Sequence, residues 1–318
     1  MIDELKITNL STDTSAKLTK TFGNNYILET SGINWDAVPA NHNTYDNLTG
    51  VGNTITSTKL EPRTVSITGR VCPTRNNKQI AEFYGVSTLK EIQQKKLDEI
   101  EDAKKYLSQI VNPLHYIRLL SGNYYIDGKP DSSVVFSGKE QENNEIYCKF
   151  TFSLTCNDPL FHYTTSTETQ LSGTFGGYHF PVVIPKPNGM HFGIRRSFQL
   201  VSVNNSGDVA LGGIIYLRAT GTVVNPSLTN VFTQESISIV KTLSYGEIVK
   251  VDTVNRKVTG APDGLTFENY FRYWDFSNDW FQFEIGDTLF GFAAEGETYK
   301  NLDVWVEINK SFYSMEEQ

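Results

Sequence analysis

Nine aromatic side chains crowd into residues 267–283, with acids and amides set among them. Tyr273, Trp274 and Trp280 stand beside Asp275, Asn278 and Asp279. Indole and phenol faces can stack on a sugar ring while such neighbours bond its hydroxyls, so these three aromatics are candidate carbohydrate contacts. The competing role is structural, because each ring offers about 150–250 Å² to a core. Tyr273 and Trp274 are adjacent, so an extended strand would turn one of them outward. The interleaved Asp275, Ser277, Asn278 and Asp279 show no period of two, which predicts a short helix or an irregular corner plugging the end of a β-sandwich.

The other reactive side chains compose no catalytic pattern. His42, His115, His162, His179 and His191 include no HExxH and no helical pair. No GxSxG, P-loop or GxGxxG occurs, and Glu140, Glu142 and Glu145 fall in a polar turn where solvated charge is their ordinary state. A glycoside hydrolase would need two facing carboxylates about 5–10 Å apart, and the sequence names no such pair. Cys72, Cys148 and Cys156 are an odd set without metal-ligand spacing and read as reduced structural thiols. The expectation is a protein without catalytic residues, cofactor or metal.

Composition narrows the partners. The 318 residues carry 28 Lys and Arg against 36 Asp and Glu, and no basic block supplies the counterion release that drives nucleic-acid binding. Residues 1–10 lack a basic and apolar signal pattern, and no window nears the roughly 18 apolar residues of a membrane span. Synthesis in the cytosol is expected, with neither nucleic acid nor membrane insertion. Thirty-five Tyr and Phe against three Met favour strands over a helical bundle.

The elements that must hold these side chains are mostly strands. Residues 213–221 alternate Ile215, Leu217 and Ala219 against Ile214, Tyr216 and Arg218, and 247–260 set Val249 and Val251 against Lys250 and Asp252 before a polar turn at 253–256. Residues 5–10, 26–29 and 60–71 read as strands, the last with Val65, Ile67, Gly69 and Val71 on one face, while 31–53 read as a long loop or extended hairpin. One strong helix is expected at 88–110. Leu89, Ile92, Leu97, Ile100, Ala103, Leu107 and Ile110 form its stripe, Thr88 and Glu91 a capping box, and Asn112-Pro113 its stop. Its stripe packs on the sheet of its own domain or else forms a partner-binding seam. A weaker helix is expected at 78–84. A meander follows to residue 155, in which Ile146, Cys148, Phe150, Phe152 and Leu154 share one parity. Trp305 reads as core or as a cap on a sheet face. Residues 174–193 hold four glycines and three prolines, as a linker would.

A strand ending in Gly221, the NPSLTN step at 225–230, the YGE turn at 245–247 and VKVDTVNRKV at 249–258 resemble the C-terminal β-sandwich of phage distal tail proteins, the Dit family. The Pro-Arg entry to strand 60–71 with Gly69-Arg70 resembles the N-terminal domain of that family, and CNDPLF followed by FPVVIP its inter-domain region. The stretch 73–112 is longer than the minimal pattern. The resemblance implies a mainly β chain with one long helix, an α+β protein. It divides the chain into a ring-forming N-terminal β-sandwich at 1–160, a linker at 161–194 and a galectin-like sandwich at 195–318. It further implies a homo-hexamer at the virion tail tip, made in the bacterial host cytoplasm. Its partners would be the tail tube protein, the tail-associated or tail-tip protein and a receptor-binding protein. The alternative is a carbohydrate-binding module or host-wall adhesin that works through Tyr273, Trp274 and Trp280.

Overall fold

Alternating apolar and polar residues become strands along most of the chain, and the computed structural model is about 48% strand and 14% helix. It describes all residues except 1–3, 22, 36, 48–50, 145, 172, 177–192, 197–199, 278–279 and 316–318, with backbone alone at 173–176, 193–196 and 297. Two compact units result, Met1–Thr164 with Tyr313–Gln318, and Thr165–Phe312. The strand Thr167–Gln170, inside the stretch expected as linker, already pairs with Leu302–Ile308 in the second unit.

The first unit departs from the expected N-terminal sandwich. Its strands Tyr124–Pro130, Ile117–Ser121, Glu4–Asn9, Ser15–Thr19, Tyr26–Trp35, Arg63–Val71 and Cys148–Cys156 follow one another in a single sheet. Cys148–Cys156 then pairs back to Tyr124–Pro130 through Leu154↔Pro130 and Thr155↔Lys129. The sheet therefore closes on itself, which leaves neither of these two strands with an unpaired edge. Leu5, Ile7, Leu18, Val65, Ile67, Phe150 and Leu154 fill one core. Gly69 permits this packing, because a Cβ there would sit 2.6 Å from the Phe150 ring and 2.8 Å from the Ile27 carbonyl. Ile146, expected on the buried parity of strand 148–156, lies before the strand begins and is 69% exposed.

The unit has two helices, the long one expected at 88–110 and before it the weaker one expected at 78–84. Helix α1 spans Asn77–Tyr84 and α2 spans Leu89–Ile110, and each opens with a capping box, Asn76 with Gln79 and Thr88 with Glu91. The Glu91 carboxylate accepts the Thr88 N–H at 3.2 Å and the Thr88 hydroxyl at 2.7 Å, and these bonds hold it below the usual carboxylate range. Spent there, it makes no ion pair with Lys95 one turn on, which turns to Asp98 at 3.2 Å, and Glu101 pairs with Lys104 rather than Lys105. Ile100, Ala103, Leu107 and Ile110 enter the core. Leu89 and Leu97, expected in the same stripe, are 72% and 37% exposed. Buried Asn9 donates to the Ile110 carbonyl at 2.9 Å and accepts the backbone N–H groups of Ser11 and Thr12, so one side chain ends the helix and shapes a turn.

A polar hairpin at 40–60 belongs to this unit. It pairs Ala40–Asp46 with Asn53–Leu60, and every side chain of the first strand is exposed.

The second unit has a six-stranded sheet and a four-stranded sheet that contribute to one core. Ile215, Leu217, Val249, Val251, Val304 and Val306 come from the larger sheet, and Leu228, Ile237, Phe290 and Phe292 from the smaller. The polar parity of the larger sheet faces the other way. There Tyr216 and Trp305 stack at 4.9 Å, with the Lys250 ammonium 5.6 Å from the Tyr216 ring and the Arg218 guanidinium 5.8 Å from Trp305. Burial and the Glu307 carboxylate, which accepts from Tyr216 at 3.3 Å, push that phenol up to about 12.

Candidate functional site

The aromatic run at 267–283 is built around one turn of 3-10 helix, Phe271–Tyr273, after the two-residue strand Glu268–Asn269. Asp275 stops it locally by accepting the Ser277 N–H at 3.0 Å and hydroxyl at 2.8 Å. The run divides by burial. Tyr270, Trp274, Phe281 and Phe283 are buried, Tyr273 and Trp280 pack partly against the core, and Phe267, Phe271 and Phe276 are exposed. Trp274 and Trp280 stack on each other at 4.1 Å and 8°, and Phe271 lies parallel to Trp280 at 6.5 Å. Of the three candidate sugar contacts, Trp274 thus gives a face to Trp280, and Tyr273 sits edge-on to Tyr270 at 5.1 Å with Arg272 over its ring. Asn278 and Asp279, the hydroxyl partners in that reading, lie outside the described residues.

Under the corner sits a buried ionic group that the sequence did not single out for chemistry. Glu247, 2% exposed, accepts from the Lys241 ammonium at 2.5 Å, the Ser244 N–H at 3.0 Å and the Tyr270 hydroxyl at 2.8 Å. Burial pushes its carboxyl up, and these three bonds outweigh burial and hold it below the usual range. Burial and the bond to Glu247 raise the Tyr270 phenol in turn. The Tyr270 ring rests on Gly260, where a Cβ would lie 2.1 Å from it. The corner is therefore locked to the hairpin strand beneath by a ring on a glycine and a phenol on a carboxylate. Glu247 has its charge matched and its oxygens occupied, so it is an anchor and is not poised as a general base.

The dispersed titratable groups stay dispersed. His42 lies on the exposed hairpin against Thr58, His115 meets Asn9 at 3.2 Å, and His162 pairs with Asp158 at 2.9 Å. Glu142 accepts from the Ser137 hydroxyl at 2.6 Å, and Cys72, Cys148 and Cys156 are buried free thiols. His179, His191 and Glu145 lie outside the described residues. Among the described residues, His, Cys, Asp and Glu form no group of three that could hold a metal ion, and no helix is long and apolar enough to cross a membrane. Arg63, noted only as part of a Pro-Arg entry, proves to be a fully buried cation. It donates to the Tyr313 carbonyl at 2.7 Å and lies 4.6 Å from the centre of the Phe161 ring, so it holds the last residues of the chain to the first unit.

Among solved structures, the chain is similar to SPP1 Dit (gp 19.1), described as a paradigm of the hub adsorption apparatus in phages that infect Gram-positive bacteria. The match has a TM-score of 0.61 at 11% identity and covers 97% of this chain and 99% of that chain. The fold is that of a phage Dit protein. A looser likeness is to a chain of the phage P2 baseplate in its activated conformation with Ca, at a TM-score of 0.43 and 11% identity, covering 96% of this chain and 98% of that chain. No protein-family model and no curated protein sequence matches.

Proposed function

We propose that this chain is a structural hub subunit of a phage tail, at the tail tip or baseplate. The observation that carries the reading is the SPP1 Dit fold, which spans nearly all of both chains, so both units are accounted for together. In this reading six copies close a ring through the first unit, and the ring joins the tail tube protein to the tail-tip protein. The second unit is the galectin-like sandwich and anchors receptor-binding proteins. The protein works through surfaces and without chemistry, and it is made in the bacterial host cytoplasm before joining the virion.

The hairpin at 40–60 supports an assembly role. A two-stranded hairpin without a covered face is marginal in water, and this one has almost none of its side chains covered within its own chain. In a closed ring each subunit makes two unlike contacts with its neighbours, and we assign the hairpin to one of them. Negative-stain microscopy of the purified chain, with and without a tube protein, tests the proposal. A six-fold ring with a central channel supports it, and monomers under every condition overturn it.

A further inference from the structure

The hub reading leaves a groove at the edge of the six-stranded sheet unused. The groove measures about 340 Å³, and Phe267 and Phe271 line it together with Arg256, Lys257, Thr259, Asn269 and one acid, Glu268, so its two cations outnumber its single carboxylate. The two phenylalanines are 45% and 38% exposed, although better-buried aromatics lie a few residues away. Phe267 has no ring partner among the described residues, whereas Trp274 and Trp280 cover each other. The open aromatic surface of this corner therefore belongs to the phenylalanines.

The polar groups of the groove are also unspent. Asn269 Oδ1 accepts the Phe271 N–H at 2.8 Å, which orients the amide and leaves its NH2 without a partner among the described residues. Arg256 and Lys257 form no ion pair with a described residue, in a chain of net charge −8. Arg256 also has φ of 51°, in the left-handed region that glycine and asparagine occupy at least cost. A long cation stands where the backbone favours glycine, and such outliers gather at binding sites. Size separates the possible occupants. Clefts for small molecules begin at about 300 Å³, whereas a stable protein contact takes about 800 Å² from each partner.

From these observations we infer that the groove binds an anionic sugar unit. The sugar ring lies against Phe267 and Phe271, its hydroxyls meet Asn269 and Thr259, and Arg256 and Lys257 hold its phosphate or carboxylate. This site is independent of ring assembly, and it shifts sugar contact away from the stacked tryptophans.

Calorimetric titration of the full chain with glucose 1-phosphate, glucuronic acid, glucose and inorganic phosphate tests the inference. At least one anionic sugar should saturate with a Kd of about 1 mM or tighter, with glucose and phosphate each about tenfold weaker or more. Preference between the two anionic sugars identifies a phosphosugar or a uronic acid, and either supports the site. Arg256→Gly suits the backbone, so it should weaken the sugar about tenfold without lowering Tm. Phe267→Ala should weaken it as well, and its exposed position keeps the fold intact. The inference fails if neither anionic sugar saturates, if phosphate alone binds as well, or if Arg256→Gly leaves binding unchanged. It also fails if a polyglutamate peptide binds more tightly than both sugars, which would mark a peptide groove.

Discussion

Two hairpins of this chain share antiparallel pairing and differ in almost everything else. In the first, Ala40–Asp46 pairs with Asn53–Leu60, and its side-chain contacts are polar and exposed, such as His42 with Thr58 and Asn43 with Ser57. In the second, Ile248–Asp252 pairs with Lys257–Ala261, with Val249, Val251 and Val258 at most 1% exposed and Tyr270 laid over Gly260. Backbone pairing is common to both, so what separates them is burial. The net value of a hydrogen bond is about 1 kcal/mol after water is exchanged, whereas a buried apolar side chain contributes about 1.5–3 kcal/mol. The second hairpin is held by its core and lid. The first has little inside its own chain to hold it, and the proposed ring supplies the missing surface.

The comparison is broken most directly by removing the lid. Tyr270→Ala deletes a buried ring and the hydroxyl that donates to Glu247, so it should destabilise the second unit by about 3–5 kcal/mol, read as a lower urea midpoint. A change below about 1 kcal/mol would mean that the second hairpin stands without its lid. Gly260→Ala attacks the same contact from below. The new Cβ must displace the ring, at a cost of about 1–3 kcal/mol, and crystal coordinates of the variant should show Tyr270 moved away from the strand.

A gentler probe is pH. The folded Glu247 carboxyl lies below its ordinary value, so its stabilising contribution is complete above the unfolded value and is lost as pH falls through the folded one. Urea midpoints should therefore decline below about pH 4.3, less steeply in Glu247→Gln than in the parent. The effect is smaller than that of the lid, because a protonated carboxyl still accepts from Ser244 and Tyr270. Equal slopes would remove Glu247 as the anchor.

How far the sequence could be read follows the same division. Ile215, Leu217, Ala219, Val249 and Val251 were legible because alternation is a local signal of a half-buried strand, and the capping box of α2 because it spans four residues. The closure through Leu154 and Pro130 was not, since it joins strands whose patterns look the same whether the sheet is open or closed. Periodicity also shows which face of α2 is apolar without showing how far its partner extends, and Leu97 stays 37% exposed. Glu247 stood in the sequence as one acid in a turn, and nothing local says that Lys241 and Tyr270 will converge on it. In the aromatic run the irregular spacing predicted an irregular corner, but which rings stay open depends on the strand beneath.

The last test concerns the first hairpin and carries the smallest expected change in stability. Replacing residues 41–59 by a short Gly-Ser turn removes side chains that are almost all exposed, so unfolding free energy should stay within about 0.5 kcal/mol. The Glu61 N–H to Pro39 carbonyl bond at 2.8 Å closes the base of the hairpin and remains available. Assembly should respond differently. Light scattering of the parent should report a closed oligomer and that of the variant monomers, since the contact that covers the hairpin is gone. A lower melting temperature would show that the hairpin leans on its own unit, and the contrast between the two hairpins would collapse. Unchanged stability with unchanged assembly would leave the hairpin without the ring contact assigned to it. Only the combination of an intact fold and a lost oligomer fits a hairpin whose covering surface lies on another copy of the chain.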